Sequence, residues 1–213
     1  MKTITAVMVT GLERGQVGLP QMAVRCFLNQ TYPAKELLII NHGEQNFVGP
    51  NVRDVKVTKS DGEYVGALRN RAFDLAKGDY LLTWDDDDWH APERMAYQAT
   101  QTPDGYLSCL TNRIIYNWQE NAGFYLSKKT GFGSTLLFPR NTTERYPNWL
   151  RESDTWFKCM FLNRVFLDNP AALYIYNLHG KNLTPQAAYK DWSKCDELSA
   201  ADAALVADMK QML

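Results

Sequence analysis

Residues 80–90 read YLLTWDDDDWH, an apolar run that leads into four consecutive aspartates. The first part is short and apolar, so it predicts a buried strand. Neighbouring carboxylates repel one another unless something neutralises them. Residues that leave a strand alternate in direction, so Asp85 and Asp87 can point to the same side, and Mg²⁺ and Mn²⁺ prefer such oxygen ligands. The alternative is a solvated acidic turn, but the position at a strand end, between Trp84 and Trp89, favours a metal site.

Strands and helices alternate on the N-terminal side of this stretch. Apolar runs predict buried strands at residues 3–9 and 36–41 and a short edge strand at 54–58. Two apolar stripes with helical spacing lie between them: Leu19, Met22, Ala23, Cys26 and Phe27, and Val65, Leu68, Ala72, Leu75 and Ala76. Strands separated by single helices predict an α/β fold with a mostly parallel, Rossmann-like sheet flanked by helices. Ligands bind beyond the carboxyl ends of such strands, so the loops after Val9, Asn41 and Trp84 are expected to share one edge.

The C-terminal half is less regular. Residues 106–118, 123–127, 134–138 and 173–177 have strand patterns, and residues 153–163 have a helical pattern. Residues 196–213 have the composition of a helix that packs on the outside of the molecule. No repeat or linker divides the chain, so we expect a single domain over residues 1–213.

Composition excludes several classes of protein. The chain has 213 residues, 45% of them hydrophobic, and a net charge of −1, which excludes a disordered or fibrous chain. The near-neutral charge argues against a surface built to coat nucleic acid. The four cysteines have no paired spacing, which excludes a zinc ribbon or a CxxC redox pair and predicts reduced thiols in a cytoplasmic protein. No apolar run approaches the length of a transmembrane segment.

Several stretches occur together in an informative order. They are FLNQTYP (27–33), GALRNRA (66–72), AKGDY (76–80), WDDDDWHAPERM (84–95), GSTL (133–136) and SDTWF (153–157). In this order they resemble the family 2 glycosyltransferases of the GT-A fold, over residues 3–182. The resemblance implies a nucleotide-sugar half at about residues 1–95, an acceptor half with a smaller mixed sheet at about 96–190, and a C-terminal helix at about 196–213.

The resemblance also implies where the donor and the metal bind. Asp87 is the expected direct ligand of Mn²⁺ or Mg²⁺, and Asp85 is expected to contact the ribose or the metal. Asp86 is assigned to the donor site, where it and Asp88 support the loop through hydrogen bonds. Arg69 is expected to reach the diphosphate or to brace the acidic loop, the alternative being a surface ion pair.

The remaining assignments come from the end of the matched region and from two loops. His179 matches a late histidine that completes the metal shell or contacts the diphosphate, although a structural histidine is an equal alternative, and Lys181 adds a phosphate contact. Asn41 stands where the family carries an aspartate pair that reads the nucleobase, which weakens any claim for uridine over other bases. Glu13 is placed near the base or ribose, or else faces solvent.

Asp154 stands where the family has its catalytic base, although Ser153 replaces the first acid of the usual pair. An inverting displacement needs one base on the acceptor side and no covalent nucleophile. The alternative is that Asp154 only caps a helix.

These residues lead to one expected function and its alternatives. We expect a metal-dependent inverting glycosyltransferase that moves a hexosyl or pentosyl group from a nucleotide-sugar, with UDP favoured, to an acceptor hydroxyl of a glycan or glycolipid. A non-catalytic nucleotide-sugar-binding module and a glycosyltransferase acting on a modified base in DNA are the alternatives. A phosphohydrolase with an aspartyl nucleophile ranks low, because Trp89 occupies the position where that chemistry usually has Thr or Val.

Overall fold

The computed structural model describes residues 1–11, 18–169, 173–182 and 196–213. In chain order the elements are β1 (Ile4–Thr10), α1 (Leu19–Leu28), β2 (Lys35–Asn41), β3 (Val52–Lys56), α2 (Val65–Leu75), β4 (Tyr80–Thr83), β5 (Trp89–His90), α3 (Arg94–Gln101), β6 (Leu107–Leu110), β7 (Asn112–Asn117), β8 (Ala122–Ser127), a 3-10 turn (Gly133–Thr135), β9 (Leu137–Pro139), α4 (Ser153–Met160), β10 (Arg164–Leu167), β11 (Tyr174–Leu178), β12 (Asp196–Glu197) and α5 (Ala200–Gln211).

The larger sheet has seven strands in the order β10-β6-β9-β4-β1-β2-β3. Neighbouring strands are parallel except at β9, which runs antiparallel to both β4 and β6. The prediction of a mostly parallel sheet is therefore confirmed. It follows from the chain order, because parallel strands joined by a single helix must return over one face of the sheet.

Helices cover both faces of this sheet. Ala6 and Met8 of β1 belong to the same buried cluster as Met22 of α1. Val7, which points the other way, belongs to a second cluster with Leu68 of α2. Side chains alternate across a strand, so a strand buried on both faces must be continuously apolar. This is why the runs at β1, β2 and β4 show no polar alternation.

The carboxyl ends of β1, β2 and β4 share one edge, as predicted. The backbone N–H of His42, directly after β2, donates to the carbonyl of Thr10 at 3.0 Å, and the N–H of Trp84 donates to Val7 at 3.0 Å. The imidazole of His42 lies over Gly11, where an added Cβ would be 1.8 Å from its Cε1 atom. A larger residue at this position would therefore require the His42 ring to move.

The second sheet has five strands in the order β12-β8-β7-β11-β5 and contains both parallel and antiparallel pairs. The smaller mixed sheet is therefore also confirmed. The run at residues 106–118, expected as one strand, is broken at Thr111: β6 belongs to the larger sheet and β7 to the smaller one. The Thr111 N–H donates to Leu167 at 2.9 Å while its carbonyl accepts from Lys128 at 2.7 Å, so the chain crosses between the sheets there.

Further boundaries differ from expectation. The strand expected over residues 134–138 is instead the 3-10 turn followed by β9. The helix expected over residues 153–163 ends at Met160, and the chain continues into β10, an edge strand beside β6 that was not expected. Phe161 has extended backbone angles and leaves the helix there. The expected 196–213 helix begins only at Ala200, where the Ser199 hydroxyl accepts from the N–H of Asp202 and caps it. Within the described ranges, no helix has both the length and the apolar character needed to cross a bilayer.

Candidate active site

The acidic stretch forms the loop that leaves β4 at the shared edge. Asp85 pairs with Arg69 of α2, whose Nη2 atom lies 2.6 Å from Asp85 Oδ1. The Arg69 side chain is only 9% exposed and lies over the ring of Tyr146. Burial opposes its charge, but Asp85, Tyr146 and Asp154 more than compensate and raise the pKa of Arg69 above its ordinary value. Arg69 is thus a permanent cation that holds Asp85 toward α2. Its contact with a diphosphate stays a prediction.

Asp87 points toward the end of β11. Its Oδ2 atom lies 3.1 Å from Nε2 of His179, and both side chains are more than nine-tenths buried. The other ring nitrogen of His179, Nδ1, accepts from the backbone N–H of Lys181 at 3.2 Å. Both ring nitrogens of His179 therefore have a polar partner. The structure brings together the two residues that sequence analysis assigned to a metal.

A network of amides holds these two residues in place. The carboxylate of Asp88 accepts from the hydroxyl of Tyr174 and, at 2.9 Å, from the N–H of Asn177. Asn177 in turn donates its side-chain amide to the carbonyl of Asp87 at 2.8 Å. Asn182 donates to the carbonyl of Asn177 at 2.8 Å and accepts from the N–H of His179 at 2.9 Å. The acidic loop and β11 are therefore fixed to each other on either side of the Asp87–His179 contact.

A buried arginine lies beneath the loop. Arg94 is fully buried, donates to the carbonyl of Thr83 at 3.1 Å, contacts Nδ1 of His90, and stacks over Trp84 and Tyr174. Burial lowers the pKa of Arg94 to about 10, against the opposing influence of Tyr174, Asp85 and Asp88. The guanidinium remains charged at neutral pH. It therefore supplies part of the counter-charge that a run of carboxylates requires.

The other assigned residues have different positions. Asp86 is buried, with 2% of its surface exposed, and is not among the described residues that line the cleft. Asn41 is buried, and its amide donates to Gln45 and Asp54 and accepts from the N–H of Gly43. Its contact with a base stays a prediction. Lys181 is exposed, and Glu13 lies outside the described residues.

Asp154 lies in the first turn of α4 and faces the same cleft. Its Oδ1 atom accepts from its neighbour Thr155 N–H at 2.8 Å, and its carboxylate packs against Gly133 of the 3-10 turn. Lys158 lies one turn further along α4, is buried, and donates to the carbonyls of Thr130 and Gly131 at 2.6 and 2.9 Å. These contacts lock the loop that precedes Gly133 onto the helix that carries Asp154.

The cleft has a volume of about 280 Å³. Asp85, Asp87 and Asp154 all line it, together with Arg69 and Arg113. The Arg113 guanidinium is stacked on the rings of Phe132 and Tyr176, with centroid distances of 4.1 and 4.6 Å. The cleft thus combines carboxylates that can bind a cation or accept a proton with guanidinium groups that can bind phosphate oxygens.

Sequence analysis missed several of these residues. Asn177 and Asn182 carry the amide network, Arg94 supplies the buried charge, and Arg113 and Lys158 shape the cleft. The one available signal was a polar residue, Asn177, at the end of an otherwise apolar strand. The others are spread along the chain, and only the fold brings them together.

The Asp87–His179 pair suits a divalent cation in its donor set. A carboxylate oxygen and an imidazole nitrogen are both ligands of Mn²⁺, and the oxygen is also suited to Mg²⁺. Among the residues that the structure describes, no group of three or more His, Cys, Asp or Glu side chains is arranged to hold a metal ion. Mg²⁺ and Mn²⁺ take more ligands than one carboxylate and one imidazole, and substrate oxygens are suited to the remaining positions.

Comparisons with known proteins bear on the fold and the family. The crystal structure of S. aureus TarS 1-349 in complex with UDP-GlcNAc matches with a TM-score of 0.64 and 12% identity, covering 82% of this chain and 58% of that one. The mannosyltransferase PcManGT from Pyrobaculum calidifontis, in complex with GDP-Man and Mn²⁺, matches with a TM-score of 0.62 and 14% identity, covering 90% of this chain and 59% of that one.

This chain therefore spans less than two thirds of either solved structure, and at these identities the likeness establishes the fold. A comparison with curated proteins found no match. The model of the family described as Glycosyl transferase family 2 matches residues 21–169, well over half of the chain. The chain therefore belongs to glycosyl transferase family 2 and has the GT-A fold.

Proposed function

We propose that this protein is a metal-dependent inverting glycosyltransferase that moves a sugar from a nucleotide-diphosphate sugar to an acceptor hydroxyl. The observation that carries the proposal is that Asp85, Asp87 and Asp154 line one cleft of about 280 Å³. Single displacement at an anomeric carbon needs a base for the acceptor and stabilisation of the departing diphosphate, both within reach of one substrate.

Asp154 is the proposed base. It takes the proton of the acceptor hydroxyl as the oxygen attacks the anomeric carbon, and the glycosidic bond to phosphate breaks on the opposite side. The contacts of Asp154 with Thr155 N–H and Gly133 fix its carboxylate before the acceptor arrives. Such preorganisation is what makes a general base effective.

Arg69, Asp87 and His179 are proposed to act on the donor side. Asp87 and His179 would hold Mn²⁺ or Mg²⁺, and the ion when bound offsets negative charge on the diphosphate. Arg69 holds Asp85 at 2.6 Å and so keeps this carboxylate oriented for the ribose or the metal. Asn177 of β11 donates to the Asp88 carboxylate and to the Asp87 carbonyl, and these two hydrogen bonds hold the acidic loop against β11.

The donor class is inferred from relatives and from the site. TarS has been crystallised with UDP-GlcNAc and PcManGT with GDP-Man, so both uridine and guanosine nucleotides occur among proteins of this fold. We favour a UDP-sugar. The base remains the least constrained part, because the Asn41 amide is already engaged by Asp54, Gln45 and Gly43. A glycan or glycolipid is the proposed acceptor, and a modified base in DNA is the alternative.

A thermal-shift screen of UDP-, GDP-, CDP- and dTDP-sugars, with and without Mn²⁺, tests donor binding. A true donor at about 100 times its Kd is expected to raise the melting temperature by about 5 °C or more. The shift should need Mn²⁺ and should disappear in Asp87→Ala. The control is Asp61→Ala, which removes an exposed aspartate and should behave as wild type. No shift with any nucleotide-sugar would contradict the proposal.

A non-catalytic nucleotide-sugar-binding module is the second candidate. Ser153, which stands where the family has an acid, and the engaged amide of Asn41 favour it. Release of nucleoside diphosphate from the donor that binds best distinguishes the two. An enzyme releases it slowly even without acceptor, and Asp87→Ala abolishes the release, whereas a binding module gives no release above background.

A further inference from the structure

Two tryptophans stand exposed beside the proposed base. Trp149 is 46% exposed and Trp156 is 54% exposed, and their ring centroids lie 5.4 Å apart with an interplanar angle of 47°. Leu150, next in the chain to Trp149, and Thr155, which precedes Trp156, both line the cleft, as does Asp154 between them. Trp149 and Trp156 therefore flank, along the chain, the segment that lines the cleft at Asp154.

The segment that carries Trp149 is held firmly. Asn70 of α2 donates to the carbonyl of Tyr146 at 2.8 Å and accepts from its N–H at 2.9 Å. Asn148 accepts from the N–H of Tyr64 at 2.8 Å and donates to the carbonyl of Gly62 at 2.9 Å. Trp149 therefore follows a backbone clamped on α2 and on the loop before it. Its exposure does not come from a loose loop.

The helix that carries Trp156 is held to the same segment. The ring of Phe157 is stacked on that of Tyr146, with a centroid distance of 4.0 Å and an interplanar angle of 14°. Glu152, between the two tryptophans, has a φ of 60°, a left-handed conformation that non-glycine residues rarely adopt. Such a conformation persists where the surroundings enforce it and is concentrated at functional sites.

We infer that Trp149 and Trp156 form a platform for a pyranose ring of the acceptor, so that the acceptor is a carbohydrate; this rests on the proposed function. A pyranose ring has an apolar face of C–H groups that packs on the electron-rich face of an indole, while its hydroxyls remain free to bond with polar groups. Glu152 and Asp154 lie between the two tryptophans in the chain and line the cleft, and carboxylates are able to accept hydrogen bonds from sugar hydroxyls. A rigid aromatic pair also loses little entropy on binding.

The segment that carries the two tryptophans has more acidic than basic side chains, which disfavours a nucleic acid stacked on the indoles. Residues 149–156 read WLRESDTW and carry two acids against one base. Bases can stack on tryptophan, but the phosphates of a strand would then meet Glu152 and Asp154. A neutral sugar ring meets no such repulsion. The same acids make a close contact with a second copy of this chain less favourable, since the copy would present like charges.

The test is a titration followed through the indole N–H resonances of ¹⁵N-labelled protein. The chain has six tryptophans, and Trp149→Phe and Trp156→Phe assign the two resonances of interest. The probes are methyl β-D-glucopyranoside, cellotetraose, chitotetraose and mannotetraose, with sorbitol as an open-chain control and an eight-residue oligothymidylate as the nucleic-acid probe. We expect at least one pyranoside to shift both resonances, while sorbitol and the oligothymidylate shift neither.

Alanine variants then measure how much each tryptophan contributes to the affinity for the pyranoside. Trp149→Ala and Trp156→Ala should each weaken the best pyranoside by about tenfold. Leu162→Ala removes an exposed apolar side chain that does not line the cleft and should leave the affinity unchanged. Both tryptophans are exposed, so the melting temperature checks that their variants fold normally.

Each opposite result has a defined meaning. The platform is overturned if no pyranoside shifts the two resonances more than sorbitol does, or if only the oligothymidylate shifts them. It is also overturned if light scattering shows a dimer that Trp156→Ala dissociates. UDP-GlcNAc and GDP-mannose, with Mn²⁺, are tested on the same wild-type sample by thermal shift. If the donors bind and no pyranoside does, only the platform is contradicted. If a pyranoside binds and neither donor does, only the proposed function is contradicted.

Discussion

Asp85, Asp87 and Asp88 have the same side chain and three different surroundings. Asp85 pairs with a guanidinium, Asp87 contacts an imidazole, and Asp88 is wholly buried on a hydroxyl and a backbone N–H. Burial, followed by the charges of Asp87 and Asp85, raises the pKa of Asp88 well above its ordinary value. One aspartate thus ties the loop to β11 while its neighbours face the cleft. The residues differ in role because the backbone turns between them.

The carboxylate of Asp154 gives the first prediction. Asp154→Asn keeps the size of the side chain and its hydrogen bond with Thr155 N–H, but it cannot accept a proton from the acceptor. Glycosyl transfer should fall by about 10²-fold or more, the scale expected for loss of a general base. Nucleotide-sugar binding, measured by thermal shift, should stay at the wild-type level. Transfer at the wild-type rate would show that another group is the base.

His90 gives a prediction on pH. Burial, and then the charge of Arg94, lowers the pKa of His90 well below its ordinary value of 6.5. Below about pH 6.5, His90 therefore binds a proton in the unfolded chain but stays neutral in the folded protein. The free energy of unfolding consequently falls as the pH decreases from about 6.5 toward the pKa of His90 in the folded protein. The slope approaches about 1.4 kcal/mol per pH unit for one proton.

The pH prediction is checked by urea unfolding of wild type and His90→Gln at pH 7.5, 6.5 and 5.5. Gln keeps an acceptor for Arg94 but does not titrate. His42 and His179 are present in both proteins, so the difference between the two slopes isolates His90. Wild type should lose roughly 1 kcal/mol more than the variant between pH 6.5 and 5.5. Equal slopes would show that His90 is protonated in the folded protein.

At the scale of elements, the 3-10 turn and α4 act as one unit. Gly133 packs directly against the start of α4, and Lys158 ties the preceding loop to the same helix. Phe157 of α4 is buried on Phe138 of β9, with a centroid distance of 4.9 Å. The position of Asp154 therefore depends on the 3-10 turn, the loop before it and β9, all of which lie outside α4 in the sequence.

Gly133→Ala tests this unit. The added Cβ would lie 2.8 Å from Asp154 Cγ and 2.9 Å from the Thr155 nitrogen, so the carboxylate or the helix must move. A shift of this kind should lower transfer by at least about tenfold, because a general base acts only when well placed. Gly123→Ala is the matched control, since its Cβ would meet only the flexible side chain of Leu198. Wild-type transfer by Gly133→Ala would mean that this packing does not orient the base.

At the scale of the whole molecule, one hydrophobic cluster joins both sheets and the last helix. It contains Met8 of the larger sheet, Ile114 and Ile175 of the smaller one, and Val206 and Met209 of α5. The chain crosses between the sheets at Thr111, and β5 continues the acidic loop into the smaller sheet. A shared core of this kind favours the single domain expected from sequence.

A single cooperative unfolding transition is therefore expected. Urea unfolding followed by far-UV circular dichroism should have the same midpoint as unfolding followed by tryptophan fluorescence. Tryptophan fluorescence depends on Trp84, which bonds to Ala23 of α1, and on Trp118, which bonds to Asn177 of β11. It therefore follows both the nucleotide-sugar half and the acceptor half. Two separated midpoints would show that the nucleotide-sugar half and the acceptor half are independent domains.

The sequence by itself determined the elements whose signal is local. The continuous apolar runs of β1, β2 and β4 and the stripes of α1 and α2 specify strands and helices through burial on one or both faces. The acidic stretch could be placed at a strand end because ligands of such sheets gather there. The family resemblance, which the family model confirms, added Arg69, Asp154 and His179 as candidate site residues.

Only the tertiary structure decided which residues meet. The break at Thr111 was not predicted, because the sheet that each half of the run joins depends on distant partners. Asn177 contacts Asp88, Arg94 lies over Tyr174, and Asn70 holds the segment before Trp149, and in each case the partner is far away in the chain. Hydrogen bonds, stacking and counter-charge depend on distance in space, and a linear pattern records only distance along the chain.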